Sequence, residues 1–135
     1  MTRLAVPLAL ALAAASPAFA TEIGGEWHLV GFEGQRAPAP LSITFTTEGK
    51  LSGKAPCNSY FGSYQATLPE ISFSPLGATR MACDKLDVET AYFQALQAMT
   101  NAEVTDEHLF LIGPEGRVLE FSRIEEDENC FTCGD

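Results

Sequence analysis

The most reactive side chains in this sequence are four cysteines, Cys57, Cys83, Cys130 and Cys133. The last two spell Cys-x-x-Cys, the spacing of thiol oxidoreductases, whose chemistry needs a thiolate stabilised by a helix N-terminus or a nearby positive charge. Here Glu125, Glu126, Asp127 and Glu128 precede the pair. Their charge raises the thiol pKa and opposes nucleophilic attack, and Gly134 and Asp135, the residues after Cys133, are expected to form no helix. A local disulfide between Cys130 and Cys133 is the preferred reading, with a thiol-redox enzyme and a thiolate–carboxylate metal site as the alternatives. His28 and His108 are far apart in sequence, and each fits a strand face better than a metal site, which needs several convergent ligands. The chain has no Gly-x-Ser-x-Gly, no His-Glu-x-x-His and no phosphate-cradling glycine loop. No catalytic, cofactor-binding or metal-binding residue is therefore assigned, and the expectation is a protein that is not an enzyme and needs no cofactor.

These groups sit on a chain with the marks of export. Arg3 is followed by an apolar stretch from Leu4 to Ala15, then Ser16, Pro17 and the small-residue site Ala18-Phe19-Ala20. This is the three-part pattern of a secretory signal peptide over residues 1–20, cleaved after Ala20. The apolar run is shorter than the ~18 to 20 residues that span a bilayer. The first cysteine is Cys57, so lipid attachment at the new N-terminus has no acceptor. A periplasmic or secreted product without stable membrane insertion is expected, with a monomer favoured. Removing twenty of the 135 residues leaves 115, the size of one domain, and losing Arg3 moves the formal net charge from −10 to −11. Such a surface repels phosphate backbones, which excludes nucleic acid as a partner. Export also places the cysteines where oxidant allows them to pair.

The elements that must position these residues follow from the apolar pattern. Glu26 to Phe32 reads as a strand, and the loop over 34–40, with Pro38 and Pro40, ends it. Leu41, Ile43 and Phe45 alternate with Ser42, Thr44 and Thr46, and a turn over 47–50 leads into a returning strand from Lys50 to Lys54. Tyr60 to Thr67 and Ile71 to Ser74 give two more strands, broken at Leu68-Pro69-Glu70. Asp84, with Asp87 three residues on, is expected to cap a helix from Asp84 to Thr100. Its apolar face carries Leu86, Phe93, Leu96 and Thr100, flanked by Val88, Tyr92, Ala95 and Met99. Short strands near Glu103 to Thr105, His108 to Ile112 and Arg117 to Ile124 close the domain, the last pair joined by Gly113-Pro114-Glu115-Gly116. Strand runs interrupted by one helix predict an antiparallel α+β domain. The acidic Cys-x-x-Cys tail over 125–135 is too charged to join the core.

The segment from Gly49 to Tyr64, containing Ala55-Pro56-Cys57-Asn58-Ser59-Tyr60-Phe61-Gly62-Ser63-Tyr64, resembles the signature of the META domain family of HslJ-like bacterial envelope proteins. A second block, from Ile71 to Cys83 and containing Pro75-Leu76-Gly77-Ala78-Thr79-Arg80-Met81-Ala82-Cys83, followed by an acidic helix start and Tyr92-Phe93-Gln94-Ala95-Leu96, resembles the family's as well. Trp27-His28-Leu29 and Leu119-Glu120-Phe121 fall where the family places its first and last strands. The resemblance thus spans about residues 23 to 124 and makes residues 21–124 the domain. It implies a small antiparallel sheet, curled as a cracked β-barrel around a single α-helix. It also implies an association with heat shock and stress, but names no substrate.

The same resemblance brings the blocks bearing Cys57 and Cys83 together, which favours a disulfide between them over two inert buried thiols. The polar members of the blocks are Asn58, Tyr60, Tyr64, Thr79 and Arg80. Asn58 reads best as a turn residue that bonds its own backbone. Arg80, whose planar fork suits a carboxylate, is the best candidate for a functional polar residue. The expected function is a non-enzymatic, stress-related envelope protein that binds a protein partner or a small apolar ligand at a strand edge or barrel cleft. An exported protease inhibitor or chaperone-like factor is the alternative, with the thiol-redox enzyme last.

Overall fold

Alternating apolar side chains build the sheet. In β1 (Gly25–Phe32) Trp27 and Leu29 are buried while Glu26 faces solvent, and in β3 (Ser42–Phe45) Ile43 and Phe45 are buried between half-buried Ser42 and Thr44. A period of two puts one side of each strand inward. Gly49 turns the chain with a φ of 82°, a left-handed conformation that glycine adopts without strain, and β4 (Lys50–Lys54) returns along β3. β4 pairs along its length with the long strand β5 (Ser59–Thr67). The second half of β5 pairs with β6 (Glu70–Phe73), and its first half with the two-residue β7 (Gly77–Ala78). Helix α1 (Leu86–Ala98) precedes β8 (Asn101–Val104), β9 (His108–Ile112) and β10 (Val118–Ser122), while β2 (Gln35–Arg36) folds back on β1. The computed structural model describes residues 23–124. The expected signal peptide and the acidic tail with Cys130 and Cys133 lie outside the described residues.

The ends of this sheet meet. β10 pairs with β1 through His28–Ser122, Leu29–Phe121, Gly31–Glu120 and Phe32–Leu119, with a bulge between Leu29 and Gly31. The ring runs β1, β3, β4, β5, β6, β8, β9, β10 and back to β1, with β2 and β7 attached outside it. Its thinnest seam joins β6 to β8, where Ile71 N–H donates to the Thr100 carbonyl at 3.0 Å and Ala102 N–H to that of Pro69 at 2.7 Å. The expected α+β class, a curled sheet or cracked barrel wrapped around its helix, is therefore overturned. Among the described residues the fold is mainly β, a closed eight-strand antiparallel barrel with one short α-helix. The reason is physical: an alternating strand pattern is the same at an edge and in a ring, so first-to-last pairing leaves no trace in periodicity.

An eight-strand barrel has an interior just wide enough for side chains to fill. Trp27, Ile43, Phe45, Leu51, Leu109, Leu111, Leu119 and Phe121 occupy it, each at most 2% exposed. Each such side chain contributes roughly 1.5–3 kcal/mol by leaving water. Trp27 is fixed further by its indole N–H, which donates to the Ile23 carbonyl at 2.8 Å, and by the Arg123 guanidinium 3.8 Å from its ring centroid.

Helix α1 joins the same core through Tyr92, Ala95 and Leu96, with Met99 just beyond it. It is shorter than the expected 84–100. Asp84 does not cap it: Lys85 holds the cap position without a side-chain bond, and Leu86 N–H donates to the Cys83 carbonyl. Leu86 and Phe93, expected on the apolar face, are exposed and half-buried. The buried stripe runs instead through Glu89, Tyr92, Leu96 and Met99.

Tyr92 meets Tyr60 of β5 inside the barrel, the hydroxyls 2.6 Å apart. Tyr60 donates to the Ser42 carbonyl at 2.6 Å, so Tyr92 is the donor in the pair. The Tyr60 ring lies over Gly53 of β4, where a Cβ would sit 2.6 Å from its hydroxyl and run into the Ser42 carbonyl, so no larger residue fits. Burial raises the Tyr60 pKa well above its ordinary 10.0, helped by Tyr92. Burial also raises that of Tyr92, against the opposing effect of its bond to Tyr60. The folded chain thus holds both protons more tightly than the unfolded one, so this stability is fully present below about pH 10 and is lost as pH rises beyond it. Urea midpoints followed by circular dichroism should hold to about pH 10 and then fall, less steeply for Tyr92→Phe than for wild type. Equal slopes would contradict a buried phenol pair.

Candidate functional site

The turn between β4 and β5 starts the site. Ala55 N–H donates to the Asn58 carbonyl at 2.8 Å, which bends the chain and aims the Cys57 and Asn58 amides inward. They meet Glu89, which is 2% exposed in the buried stripe of α1. Glu89 Oε1 accepts from Cys57 N–H at 3.0 Å and Asn58 N–H at 2.8 Å, and Oε2 accepts from Asn58 Nδ2 at 2.6 Å. A buried acid left without donors would be costly, and these three bonds satisfy it.

Asn58 turns its remaining capacity towards the chain after β7. Its Nδ2 donates to the Met81 carbonyl at 2.9 Å, and its Oδ1 accepts from Met81 N–H at 2.6 Å and from Thr79 Oγ1 at 2.8 Å. Both donors and both acceptor positions of the amide are thereby used. Thr79 is bound twice more, its N–H to the Ser59 carbonyl at 3.1 Å and its Oγ1 from Ser59 N–H at 3.2 Å. Two residues beyond Met81 the Cys57–Cys83 disulfide fixes the segment again, with the Cα atoms 5.6 Å apart and a sequence separation of 26. Closing a loop of that length stabilises the fold by about 3 kcal/mol in the chain-entropy model.

The result is an exposed segment held from behind. Residues 79–83 form neither helix, strand, turn nor bend, and every residue from 79 to 87 is exposed, with Met81 at 67%. Arg80 lies between the two anchored residues with its side chain in solvent. Asn58, by contrast, is 6% exposed. Its role is wider than that expected of a turn residue, since its side chain bonds other elements, not its own backbone.

The other polar residues of the two blocks separate from this cluster. Tyr60 is buried with Tyr92, and Tyr64 donates its hydroxyl to the Thr46 carbonyl at 2.6 Å and packs edge-on against Phe45, so both hold the barrel. His28 lies on β1 beside Glu26, and His108 on β9 beside Glu120. Among the described residues no three His, Cys, Asp or Glu side chains converge as a metal site requires. An open groove beside β2 is lined by Glu33, Gln35, Arg36 and Glu120 among others.

Sequence reasoning missed Glu89. Its signal was present: Glu89, Tyr92, Leu96 and Met99 keep helical spacing, and an acid in an apolar stripe demands buried donors. Glu89→Ala should cost about 3 kcal/mol in urea unfolding, because it strands three N–H donors. Cys57→Ser with Cys83→Ser should cost a similar amount, about 3 kcal/mol. Arg80→Ala should stay within about 0.5 kcal/mol. A loss at Arg80 equal to that at Glu89 would contradict the division between support and exposed segment.

The profile of the META domain matches residues 20–126. The fold is similar to that of a DUF4847 family protein from Bacteroides vulgatus, at 17% identity and a TM-score of 0.61, covering 77% of this chain and 95% of that one. It is also similar to a protein from Burkholderia xenovorans solved by NMR, at 28% identity and a TM-score of 0.64, covering 90% of this chain and 100% of that one. A further NMR structure matches at 20% identity and a TM-score of 0.58, covering 73% of this chain and 87% of that one. The two likenesses at 17% and 20% carry fold alone. A search of curated proteins finds no match.

Proposed function

The chain belongs to the META domain family, and from that premise we propose that it is an exported, non-enzymatic envelope protein of the stress-related kind that works by binding another protein on its outer surface. The observation that carries this reading is the filled barrel: Trp27, Tyr60, Tyr92 and Phe121, each at most 1% exposed, occupy the space that an interior apolar ligand would need. Closure argues against strand addition at the sheet's termini, because β1 and β10, which an open sheet would leave as edges, pair with each other. What the surface offers instead is the tethered segment 79–83, with exposed Arg80 and Met81.

A periplasmic or secreted location is supported by the leader pattern ending at Ala20 and by the Cys57–Cys83 disulfide, which suits an oxidising compartment. No helix among the described residues is long and apolar enough to cross a membrane. A non-catalytic role is supported by how the site's polar groups are spent: both oxygens of Glu89 and the whole amide of Asn58 are committed to holding the chain.

The test places a photo-crosslinking amino acid at Met81 and, as a control, at Ser72, which is exposed on β6. In cells expressing the full chain, irradiation should give discrete protein adducts from position 81 and few from position 72. An apolar fluorophore such as anilinonaphthalene sulfonate should show no saturable uptake by the folded protein. Saturable uptake without adducts would replace the protein partner with a small apolar ligand.

A further inference from the structure

The segment 79–83 combines three features that rarely meet in one exposed stretch. It is free of turns and bends, it is anchored on both sides of a single peptide bond, and that bond follows an arginine. On the N-terminal side of Arg80–Met81, Thr79 is bound to Ser59 and Asn58. On the C-terminal side, both the N–H and the carbonyl of Met81 are bound by Asn58, and Cys83 is joined covalently to Cys57. A protease accepts solvent-facing backbone that is not folded into helix or sheet, the state of residues 79–83. A segment already held in place binds with less of the usual ordering cost.

We propose that Thr79–Cys83 is a substrate-like inhibitory segment that enters the active cleft of a trypsin-like serine protease, with Arg80 in the specificity pocket. The proposal rests on the protein-binding reading above and names the partner's chemistry. A pocket floored by a carboxylate is what distinguishes trypsin-like enzymes, and the Arg80 guanidinium is the group that fills it. Met81 and Ala82 would lie on the leaving-group side.

The anchoring explains why such a segment inhibits and is not consumed. The protease's serine oxygen attacks the Arg80 carbonyl carbon, the C–N bond to Met81 breaks, and the catalytic histidine passes the serine's proton to the Met81 nitrogen. In an ordinary substrate the new amine then diffuses away and water takes its place. Here the Met81 nitrogen remains bonded to Asn58 Oδ1, its carbonyl to Asn58 Nδ2, and the two halves of the chain stay linked through Cys57–Cys83. The amine therefore stays against the acyl-enzyme and re-attacks it. That returns its proton to the histidine and then to the serine, and restores the Arg80–Met81 bond. Proximity of this kind makes resealing compete with hydrolysis.

The experiment uses the oxidised full-length mature chain against trypsin and chymotrypsin, with inhibition constants measured by peptide-substrate hydrolysis. Wild type should inhibit trypsin stoichiometrically and chymotrypsin weakly. Arg80→Ala should weaken trypsin inhibition by about 100-fold or more, the range of a buried anchor residue. Arg80→Leu should transfer inhibition towards chymotrypsin, whose pocket is apolar. Mass spectrometry of long incubations should show an intact chain in balance with one form cut after Arg80, its halves joined until reduced. Prompt and complete digestion, no inhibition of trypsin, or inhibition indifferent to Arg80→Ala would each overturn the proposal. Position-81 adducts in cells that are not serine proteases would also overturn it while leaving the protein-binding reading standing, and the absence of any adduct would remove both.

Discussion

One hydrogen bond, between Asn58 Nδ2 and Glu89 Oε2 at 2.6 Å, is the constraint on which the surface of this protein depends. It ties the turn between β4 and β5 to the helix, and through the rest of the Asn58 amide it ties both to the segment that follows β7. Removing it would leave a buried acid short of a donor and an amide short of an acceptor. The disulfide spans the same gap in covalent form, from the residue before Asn58 to a residue two beyond Met81. Hydrogen bonds set the conformation of the segment, and the covalent link limits how far it can stray.

The barrel is the rigid body that gives these tethers something to pull against. β1 and β10 close the ring, Trp27 and Phe121 fill it from the closing strands, and the Tyr60–Tyr92 pair links the wall at β5 to the helix. A ring of this size packed with side chains leaves its outside for recognition. The position of α1 follows from the same core: Tyr92 and Leu96 insert among the inward strand residues, and this fixes Glu89, one turn earlier, beside Cys57 and Asn58.

How much of this was legible in the sequence varied with the range of the interaction. The strands around Trp27, Ile43, Lys50 and Phe121 followed from local alternation, and the helix from its apolar stripe, because both signals lie within a few residues. The pairing of Cys57 with Cys83 came through a family resemblance, and the structure contains that disulfide. Closure of the barrel was not legible, and the stripe through Glu89, Tyr92, Leu96 and Met99 marked Glu89 as inward-facing without naming its donors. Each depends on what a distant segment brings: β10 arriving beside β1, and the amides of Cys57 and Asn58 arriving beside the helix. The expected cap at Asp84 failed for a related reason, since the disulfide at Cys83 and the bond from Leu86 to the Cys83 carbonyl already determine how the chain enters the helix. Arg80 stood out in the sequence as the best candidate for a functional polar residue because its planar fork suits a carboxylate, and it lies exposed in the tethered segment.

Amide hydrogen exchange across residues 79–83 tests the tethered segment most directly. Met81 N–H is bonded to Asn58, while the amides of its neighbours Arg80 and Ala82 have no such bond among the described residues. In the oxidised protein the Met81 amide should therefore exchange at least about 100-fold more slowly than the amides of Arg80 and Ala82, even though its side chain is solvent-exposed. Uniformly fast exchange across all three amides would mean that Asn58 does not hold the segment in solution, and would contradict the account.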